Sequence, residues 1–368
     1  MAPLNTAIIG YGFSAKTFHI PFILHNPGYQ LYAIVQRKPT PTNSAASDFP
    51  DAKIYHDAYE AIADKNVDVV VITSTNDTHF PLTMAALKGG KHVIVEKPFT
   101  VTYKEAAELA DLAERTKLVL AVYHNRRWDS DFLTLRSLLS HPTKPLGEIT
   151  RLRSHFDCAP NSRTALESRK WRLAPSIPGS GMLFDLGSHL LDQAVNLFGT
   201  PRAVTCFLFD EVTGKSVCEN GFVDDGFIIL LAFKRVNGVV ELHSTQYSVT
   251  DRQKRFEILG TKGRWVKFGL DGQEEQLQRG IGPGDEGYGV ETRDTSTLQI
   301  VDGQGVKTLS WESARGGYQH FYQNVHDVIC SGGQAELEVK PTDAAFVMRL
   351  IELCRLSAVE GRTVEVTR

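Results

Sequence analysis

Short apolar runs alternate with longer amphipathic segments over the first third of the chain. The apolar runs are predicted strands, at Thr6 to Ile9, Leu31 to Val35, Lys53 to Tyr55, Val67 to Ile72, His92 to Val95 and Val119 to Tyr123. Most of them are continuously apolar, which is typical of a parallel sheet that is covered on both faces. The segment Tyr103 to Thr116 carries its alanine and leucine residues on one stripe, which predicts a helix lying on that sheet. The alternation therefore predicts βαβ units.

After about His124 the pattern changes. From Arg202 to Phe268 strand-like runs follow one another with turn residues between them, which predicts an open, mainly antiparallel sheet. The helices predicted in this part are Asp129 to Leu139, Asp185 to Phe198, Gln319 to Cys330 and Thr342 to Glu360. Gly269 to Gly289 is rich in glycine and acidic residues and is predicted to be a long loop. We therefore expect an α/β domain at 1–124 and an α+β domain at 125–368.

Composition and charge narrow the class of protein. The 368 residues include 40 Lys plus Arg and 43 Asp plus Glu, and no concentrated basic block, which argues against nucleic acid as the main partner. No run of about 18 apolar residues predicts a membrane span, and the first residues lack a signal-peptide layout. The five scattered cysteines form neither a disulfide framework nor a zinc knuckle. We expect a cytoplasmic protein.

A glycine motif follows the first predicted strand. It reads Gly10-x-Gly12 and ends three residues later in Ala15, with Phe13 and Ser14 opening a helix. The first glycine permits a tight turn, the second lets a pyrophosphate approach the backbone, and the small third residue lets helix and strand pack. The helix N-terminus then faces the anion. A glycine turn without a ligand is the alternative, but the strand before the motif and the helix after it favour dinucleotide binding.

The end of the second predicted strand indicates which dinucleotide is bound. An NAD site usually places an acid there to bind the ribose 2'-hydroxyl, whereas this chain has Arg37 and Lys38 and no acid. A guanidinium and an ammonium suit a 2'-phosphate. The alternative is an ordinary pair of solvated charges. We predict NADP as the cofactor, with NAD possible.

Polar residues follow the next two predicted strands, where ligands of open α/β sheets bind. After the fourth strand, the cofactor-binding candidates are Thr73, Thr75, Asn76 and His79. The fifth strand ends in Glu96-Lys97-Pro98, which places an acid and a cation at the same edge of the sheet. A surface charge is the alternative for the lysine. We expect Glu96 and Lys97 to contact the cofactor.

A second group of chemical residues lies on the predicted helix from Asp185. Asp185 and His189 are four residues apart and therefore share a helix face, which Gln193 continues. Such a pair could be half of a metal site or a structural helix cap, but no further His or Cys stands at suitable spacing. We predict no metal and assign these residues to substrate chemistry.

These motifs resemble the Gfo/Idh/MocA oxidoreductases, which include glucose-fructose oxidoreductase and inositol dehydrogenases. The resemblance rests on the glycine motif, on Glu96-Lys97-Pro98 and on Asp185-x-x-x-His189, and it covers essentially the whole chain. Further stretches are similar to the scyllo-inositol dehydrogenase-like branch, namely 125–129, 171–172, 185–193 and 267–274. The resemblance implies an N-terminal Rossmann domain with a parallel sheet, and a C-terminal α+β domain whose open sheet often forms the subunit interface.

The resemblance also implies residue roles. The implied catalytic trio is Lys97, Asp185 and His189, with a cis peptide before Pro98. Trp171 and Arg172 resemble a pair near the cofactor, and Asn125 with Arg126 and Arg127 lies where substrate and nicotinamide are contacted. The substrate-binding candidates are Lys97, Asn125, Arg127, Asp185, His189 and Gln193. The cations at the cofactor-selecting strand end are a departure, since many relatives carry an acid there.

Three functions remain open at this stage. The favoured one is an NADP-dependent oxidoreductase that interconverts a secondary alcohol and a ketone of an inositol-like polyol or sugar, because the candidate residues are hydrogen-bonding groups. The same apparatus could instead reduce an imine, a diketone or a dihydrodiol, with the aromatic residues Phe13, Phe99, Trp128 and Trp171 lining the site. A sugar or nucleotide sensor without catalysis is the third. An exposed sheet face also predicts a homodimer or higher homo-oligomer.

Overall fold

Two compact units make up the chain in the computed structural model, which describes residues 2–158, 174–292, 296–332 and 334–367. Unit 1 comprises Met1–Trp128, Gly272–Gly289 and Gly317–Ala345. Unit 2 comprises Asp129–Asp271, Val290–Gly316 and Phe346–Arg368. The first segment of unit 1 ends at Trp128, which is close to the domain boundary predicted near residue 124.

The sheet of unit 1 has six parallel strands within the described residues. They are β1 (Leu4–Ile9), β2 (Tyr29–Val35), β3 (Lys53–Tyr55), β4 (Val69–Ile72), β5 (His92–Val95) and β6 (Leu120–Val122). Their order is β3-β2-β1-β4-β5-β6, so the chain reverses direction across the sheet at β1. A crevice opens at the carboxyl ends of the strands at such a reversal, and ligands bind there. The Rossmann-type parallel sheet predicted from the apolar runs is confirmed.

Helices accompany this sheet. Their bounds are Ile20–His25, Ala45–Asp48, Ala58–Ala63, Asn76–Lys88, Tyr103–Thr116, Gln273–Gln278 and Gln319–Cys330, with a π-helical turn at Ala15–His19 and a 3-10 turn at Asn125–Trp128. Helix Tyr103–Thr116 has the predicted bounds because Thr102 and Glu105 form a capping box at its start.

The predicted loop at Gly269 to Gly289 is partly wrong, since Gln273–Gln278 is helical. The Gln273 side chain is fully buried, donates to the carbonyl of Trp128 at 3.0 Å and accepts from the amide of Tyr318 at 3.0 Å. These contacts hold the segment in place, and they join residues far apart in the sequence. A local pattern of glycine and acidic residues therefore does not reveal them.

Unit 2 is organised around a second sheet, with nine strands in the described part of the chain. They are β7 (Ile149–His155), β8 (Ala203–Phe209), β9 (Gly226–Ala232), β10 (Val239–Ser244), β11 (Lys254–Gly260), β12 (Gly263–Phe268), β13 (Ser296–Val301), β14 (Val306–Leu309) and β15 (Val364–Glu365). Their order is β14-β13-β12-β11-β7-β10-β9-β8-β15, and among these strands only the β7–β10 pair is parallel. The mainly antiparallel sheet is confirmed. The hydrophobic pattern of the sequence did not predict β13, β14 or β15. All four residues of β14 are exposed, so this strand has no alternation of buried and exposed positions.

Helices of unit 2 pack on one face of this sheet. Their bounds are Ser130–Ser140 and Ser188–Phe198, the latter preceded by a π-helical turn at Leu183–Gly187, and the last helix of the chain is Pro341–Glu360. Along β7 the residues Leu152, Ser154 and Phe156 are buried, and they alternate with less buried residues such as Arg153 and His155. This alternation marks a covered face and a more open face of the sheet. None of the helices in the described ranges combines the length and apolar character that crossing a bilayer requires.

Candidate active-site residues

The glycine motif of unit 1 forms a turn that only glycine can occupy at its first position. Gly10 has φ of +107°, and a Cβ there would lie 2.8 Å from Thr73 Oγ1. Thr73 in turn donates its hydroxyl to the carbonyl of Ile9 at 3.0 Å and so ties β4 to the turn. At Gly12 a Cβ would meet no atom within 4 Å, which leaves open space beside the backbone. The turn is therefore a cradle that a side chain at Gly12 would fill, and it fits a dinucleotide pyrophosphate.

The helix after this turn begins with a π-helical segment rather than a regular α-helix. Ala15, the small third position of the motif, is fully buried at the start of the segment, and His19 ends it. Phe13, two residues before Ala15, is half-exposed and packs edge-on against Phe18 with ring centroids 5.7 Å apart. Short π segments inside helices are frequent at functional sites. The sequence pattern predicted a helix here and did not predict the wider turn.

A buried carboxylate connects the glycine motif to the end of β5. Glu96 accepts from the Ser14 hydroxyl through Oε1 and from the amide of Lys97 through Oε2 at 3.0 Å. Its Oε1 also lies 3.1 Å from Nε2 of the fully buried His19. Burial alone would raise the pKa of Glu96, but His19, Lys97 and Ser14 outweigh it and lower the pKa to about 2. The carboxylate is therefore ionised at neutral pH and holds both segments.

His19 and Tyr322 complete this network, and sequence reasoning missed both. The Tyr322 hydroxyl donates to His19 Nδ1 at 2.6 Å if Nε2 carries the proton that Glu96 accepts. Tyr322 is fully buried on helix Gln319–Cys330. No signal in the sequence joins positions this far apart, because the contact depends on the tertiary packing of unit 1.

Lys97 lies half-buried directly after this carboxylate, and the Lys97-Pro98 peptide is cis, as the family resemblance implied. His79 is buried on helix Asn76–Lys88, with Nδ1 2.8 Å from the carbonyl of Pro98 and Nε2 3.2 Å from the carbonyl of Ser74. Burial lowers the pKa of His79. Thr75 and Asn76 stand at the start of the same helix. His79 therefore connects the segments that follow β4 and β5. Its contact with a cofactor stays a prediction.

Arg37 and Lys38 lie exposed just beyond the end of β2. The preceding residue, Gln36, is buried; it donates to the carbonyl of Asn43 and accepts from the amide of Ala45, each at 2.8 Å. Among the described residues no carboxylate pairs with either cation. Both are therefore available to an anion at the position where NAD enzymes usually place an acid.

The turn Asn125–Trp128 holds three candidate residues, all buried. Arg126 forms an ion pair with Glu274 at 3.0 Å, and Arg127 donates to the carbonyl of Glu338 at 2.5 Å. These contacts fix the turn within unit 1. The contact of Asn125 and Arg127 with a substrate stays a prediction.

In unit 2, a glycine and an aspartate set the start of the helix that carries the second group. Gly181 has φ of +107°, and a Cβ there would lie 2.3 Å from Asp224 Oδ1. Asp224 Oδ2 accepts from the amide of Leu183 at 2.6 Å, at the first residue of the π-helical turn. A helix N-terminus leaves such amides without intrahelical partners. Gly181 and Asp224 are therefore two supporting residues that the sequence analysis did not assign.

Asp185 and His189 lie on either side of the junction between the π turn and helix Ser188–Phe198. Their exposed fractions are 8% and 4%. Gln193, one turn further, accepts through Oε1 from Arg255 Nη2 at 2.8 Å. Arg255 is buried, forms an ion pair with Asp131 at 3.3 Å and so anchors this helix. The structure gives Gln193 a contact within the protein, and its substrate contact stays a prediction. Trp171 and Arg172 lie outside the described residues.

Burial raises the pKa of Asp224 to about 6. The free energy of unfolding should therefore depend on pH. Because the unfolded carboxyl titrates near 3.9, the native state binds the proton more tightly, and stability falls as pH rises from about 4 to about 6. The expected loss is about 3 kcal/mol. Asp224→Asn keeps an oxygen for the Leu183 amide and removes the titration. Urea unfolding at pH 4 to 7 should show wild type losing about 3 kcal/mol relative to the variant, and parallel curves would contradict the assignment.

Two models of known protein families together match nearly the whole chain. The model of the oxidoreductase family's NAD-binding Rossmann fold, GFO_IDH_MocA, matches residues 4–124. The model of the same family's C-terminal alpha/beta domain matches residues 143–366.

Individual relatives are similar over almost their full length. The oxidoreductase YdgJ of Escherichia coli is 39% identical over 350 residues, which are 95% of each chain. The scyllo-inositol 2-dehydrogenase (NADP(+)) IolW of Bacillus subtilis is 32% identical over 98% of this chain and 95% of its own. The solved structure of the oxidoreductase yvaA of Bacillus subtilis superposes with a TM-score of 0.88 at 31% identity, covering 100% of this chain and 99% of that chain.

Proposed function

The chain belongs to the Gfo/Idh/MocA oxidoreductase family, and from this premise we propose that it transfers hydride between NADP and a secondary alcohol or ketone of an inositol-like polyol or sugar. The similarity to IolW, whose name gives both scyllo-inositol and NADP, supports this choice. The hydrogen-bonding candidates Asn125, Asp185 and His189 also suit a substrate that carries several hydroxyl groups.

The observation that carries the proposal is the network around Glu96. Through its two oxygens, one buried carboxylate holds Ser14 of the glycine motif and the backbone of Lys97. A residue that must act on atoms beside a nicotinamide needs a fixed position relative to the cofactor-binding turn. Within unit 1, Glu96 provides such a connection for Lys97.

The proposed chemistry assigns one role to each member of the trio. A bound nicotinamide supplies the hydride acceptor or donor at its C4 atom. His189 takes the hydroxyl proton during oxidation, because an imidazole exchanges protons near neutral pH. Asp185 orients that imidazole and binds a neighbouring hydroxyl. Lys97 donates a hydrogen bond to the reacting oxygen and stabilises the developing alkoxide. In the reverse direction the same groups reduce a ketone.

We propose NADP rather than NAD on the basis of Arg37 and Lys38. Replacing both with alanine removes two cations that would contact a 2'-phosphate, and charge-assisted hydrogen bonds of this kind contribute about 1.5–3 kcal/mol each. The double variant should raise the KM for NADPH by at least about 10-fold and change the KM for NADH little. Steady-state kinetics with both cofactors measure this. A wild-type enzyme with similar KM values for the two, or with a preference for NAD, would contradict the proposal.

A substrate panel tests the reaction class. The purified protein is assayed with NADPH against keto-inositols and ketosugars, and in parallel against imines and diketones; with NADP it is assayed against inositols and dihydrodiols. The highest kcat/KM is expected for an inositol or its ketone. A clear preference for the other set would identify the enzyme as a reductase of non-sugar compounds, and NADPH binding without turnover would identify a sensor.

We further propose that the chain forms a homodimer through the more open face of the unit 2 sheet. Phe207 and Phe209 on β8 are 51% and 38% exposed, and Phe207 lies opposite Ile228 of β9 on the same face. An apolar strip of this kind is unusual on the surface of a monomer. Light scattering at micromolar concentration should give twice the mass of the chain, whereas the mass of a single chain would refute the dimer.

A further inference from the structure

A cluster of metal-ligating side chains lies on the more open face of the unit 2 sheet, the face that also carries Phe207 and Ile228. His155 ends β7 and His243 lies on β10, and the two are register partners in the parallel pair of strands. Paired residues on strands about 4.8 Å apart present their side chains on the same face. Asp157 follows two positions after His155 and reaches both imidazoles. Sheet geometry thus brings two histidines and one carboxylate together.

The distances within the cluster suit a metal ion. His243 Nδ1 lies 2.7 Å from Asp157 Oδ1, and His155 Nδ1 lies 3.4 Å from Asp157 Oδ2. One ligand atom from each of the three residues lies within 4.8 Å of the other two. Ligands that are about 2.1 Å from a tetrahedral ion lie about 3.4 Å from one another. A small change of side-chain rotamer is therefore sufficient to place all three around one ion.

The electrostatics of the cluster also favour a cation. Asp157 places one carboxylate oxygen beside each of the two imidazoles. The two imidazole rings are 5.0 Å apart between centroids, and two protonated rings at that distance would repel each other. Neutral imidazoles offer lone pairs. In the described part of the chain, the buried Nε2 of His155 has no hydrogen-bond partner.

The charges around the site are of both signs. Arg151 and Arg153 precede His155 on the same strand and face, and Arg153 is paired with Glu241 at 3.6 Å and with Glu257 at 3.0 Å. Glu257 is also paired with Lys254 and Arg264. These charges largely balance one another, so the attraction for a cation comes mainly from the Asp157 carboxylate.

We propose that His155, Asp157 and His243 bind a first-row divalent transition metal, with Zn²⁺ as the expected ion. Two imidazole nitrogens with one carboxylate oxygen select zinc, cobalt or nickel over magnesium and calcium, which prefer all-oxygen sites. Three protein ligands leave a fourth position for water or a small ligand. The adjacent Ser154 points to the opposite face, where it accepts from Arg255, the residue that anchors the helix of Asp185 and His189. The backbone carbonyl of His155 accepts from the same guanidinium at 3.2 Å, whereas the proposed ligand atoms of His155 lie on the other face of the sheet.

The test uses untagged, full-length protein stripped of metal with a chelator. Titration with Co²⁺ should produce visible absorption bands of a tetrahedral site that saturate at one ion per chain, and Zn²⁺ should displace the cobalt and abolish them. In calorimetry His243→Ala should weaken Zn²⁺ binding at least about 100-fold, because even residues that only support a metal ligand contribute about 10–100-fold. Asp157→Asn, which keeps the size of the side chain, should weaken it to a similar degree.

A matched control is His25→Ala, which removes an exposed histidine of unit 1. It should bind Zn²⁺ as wild type does. If wild type binds no Co²⁺ with tetrahedral bands, or if Asp157→Asn and His243→Ala bind Zn²⁺ as tightly as wild type, the proposal is wrong. Circular dichroism establishes that each variant is folded, and if His243→Ala is not, Asp157→Asn decides the question alone.

Discussion

Replacing His189 with alanine is expected to lower kcat by about 10²–10⁴-fold, the usual contribution of a positioned general acid or base. The imidazole would take the hydroxyl proton of the alcohol during oxidation and return it during reduction. The affinity for NADPH should stay nearly unchanged, because the proposed role of His189 is toward the hydroxyl proton of the substrate and not toward the cofactor. Steady-state turnover and a fluorescence titration with NADPH measure the two quantities on the same preparation.

The control for this experiment is His25→Ala, which removes an exposed histidine outside the proposed site. It should keep the wild-type kcat. If His189→Ala also turns over at the wild-type rate, His189 is not the acid or base. If that variant loses NADPH affinity in proportion to its activity, the residue acts in cofactor binding instead.

Replacing Lys97 with alanine is expected to slow the hydride-transfer step by about 10²–10³-fold, which is typical when one donor to a developing oxyanion is removed. The backbone amide of Lys97 would still donate to Glu96, so the variant should keep the connection between β5 and the glycine motif. Single-turnover stopped-flow with preformed enzyme–NADPH complex measures the chemical step apart from product release.

Lys104→Ala is the matched control, because Lys104 is an exposed lysine on helix Tyr103–Thr116. Its single-turnover rate should equal that of wild type. A Lys97→Ala variant with an unchanged hydride-transfer rate would remove Lys97 from the mechanism. A variant with normal chemistry but weakened NADPH binding would place Lys97 in the cofactor site only.

Local patterns predicted the framework of the fold well. The continuous apolar runs yielded β1 to β6 to within a few residues, since a strand covered on both faces has almost no polar positions. Helix Tyr103–Thr116 was predicted with its observed bounds because the amphipathic stripe and the capping box both lie within the segment. In these elements the information that determines structure is local.

Features that depend on distant contacts escaped the sequence analysis. Helix Gln273–Gln278 forms where a loop was predicted, because the buried side chain of Gln273 is held by backbone groups far away in the chain. The π-helical turns that begin the helices after Gly12 and Gly181 have no distinctive sequence pattern. The same holds for His19, which contacts Glu96 and Tyr322.

The sequence predicted the glycine motif of the candidate site more fully than the residues assigned by position or by resemblance. The glycine motif could be derived from steric requirements, and the structure shows the close approach of Thr73 that excludes a side chain at Gly10. The roles of His79, Arg127 and Gln193 came from position or resemblance, and the structure shows each of them bonded within the protein. A sequence does not show which donors and acceptors of these side chains are already used within the protein. Their contacts with ligands therefore stay predictions.

The most direct test of the central claim is the NADPH-dependent reduction of keto-inositols by the purified wild-type protein, with deuterium placed at the nicotinamide C4 position that donates hydride. We expect substrate-dependent oxidation of NADPH, and transfer of the label to the carbon that bore the ketone. Tight binding of NADPH without oxidation of the cofactor, or oxidation without label in the product, would contradict it.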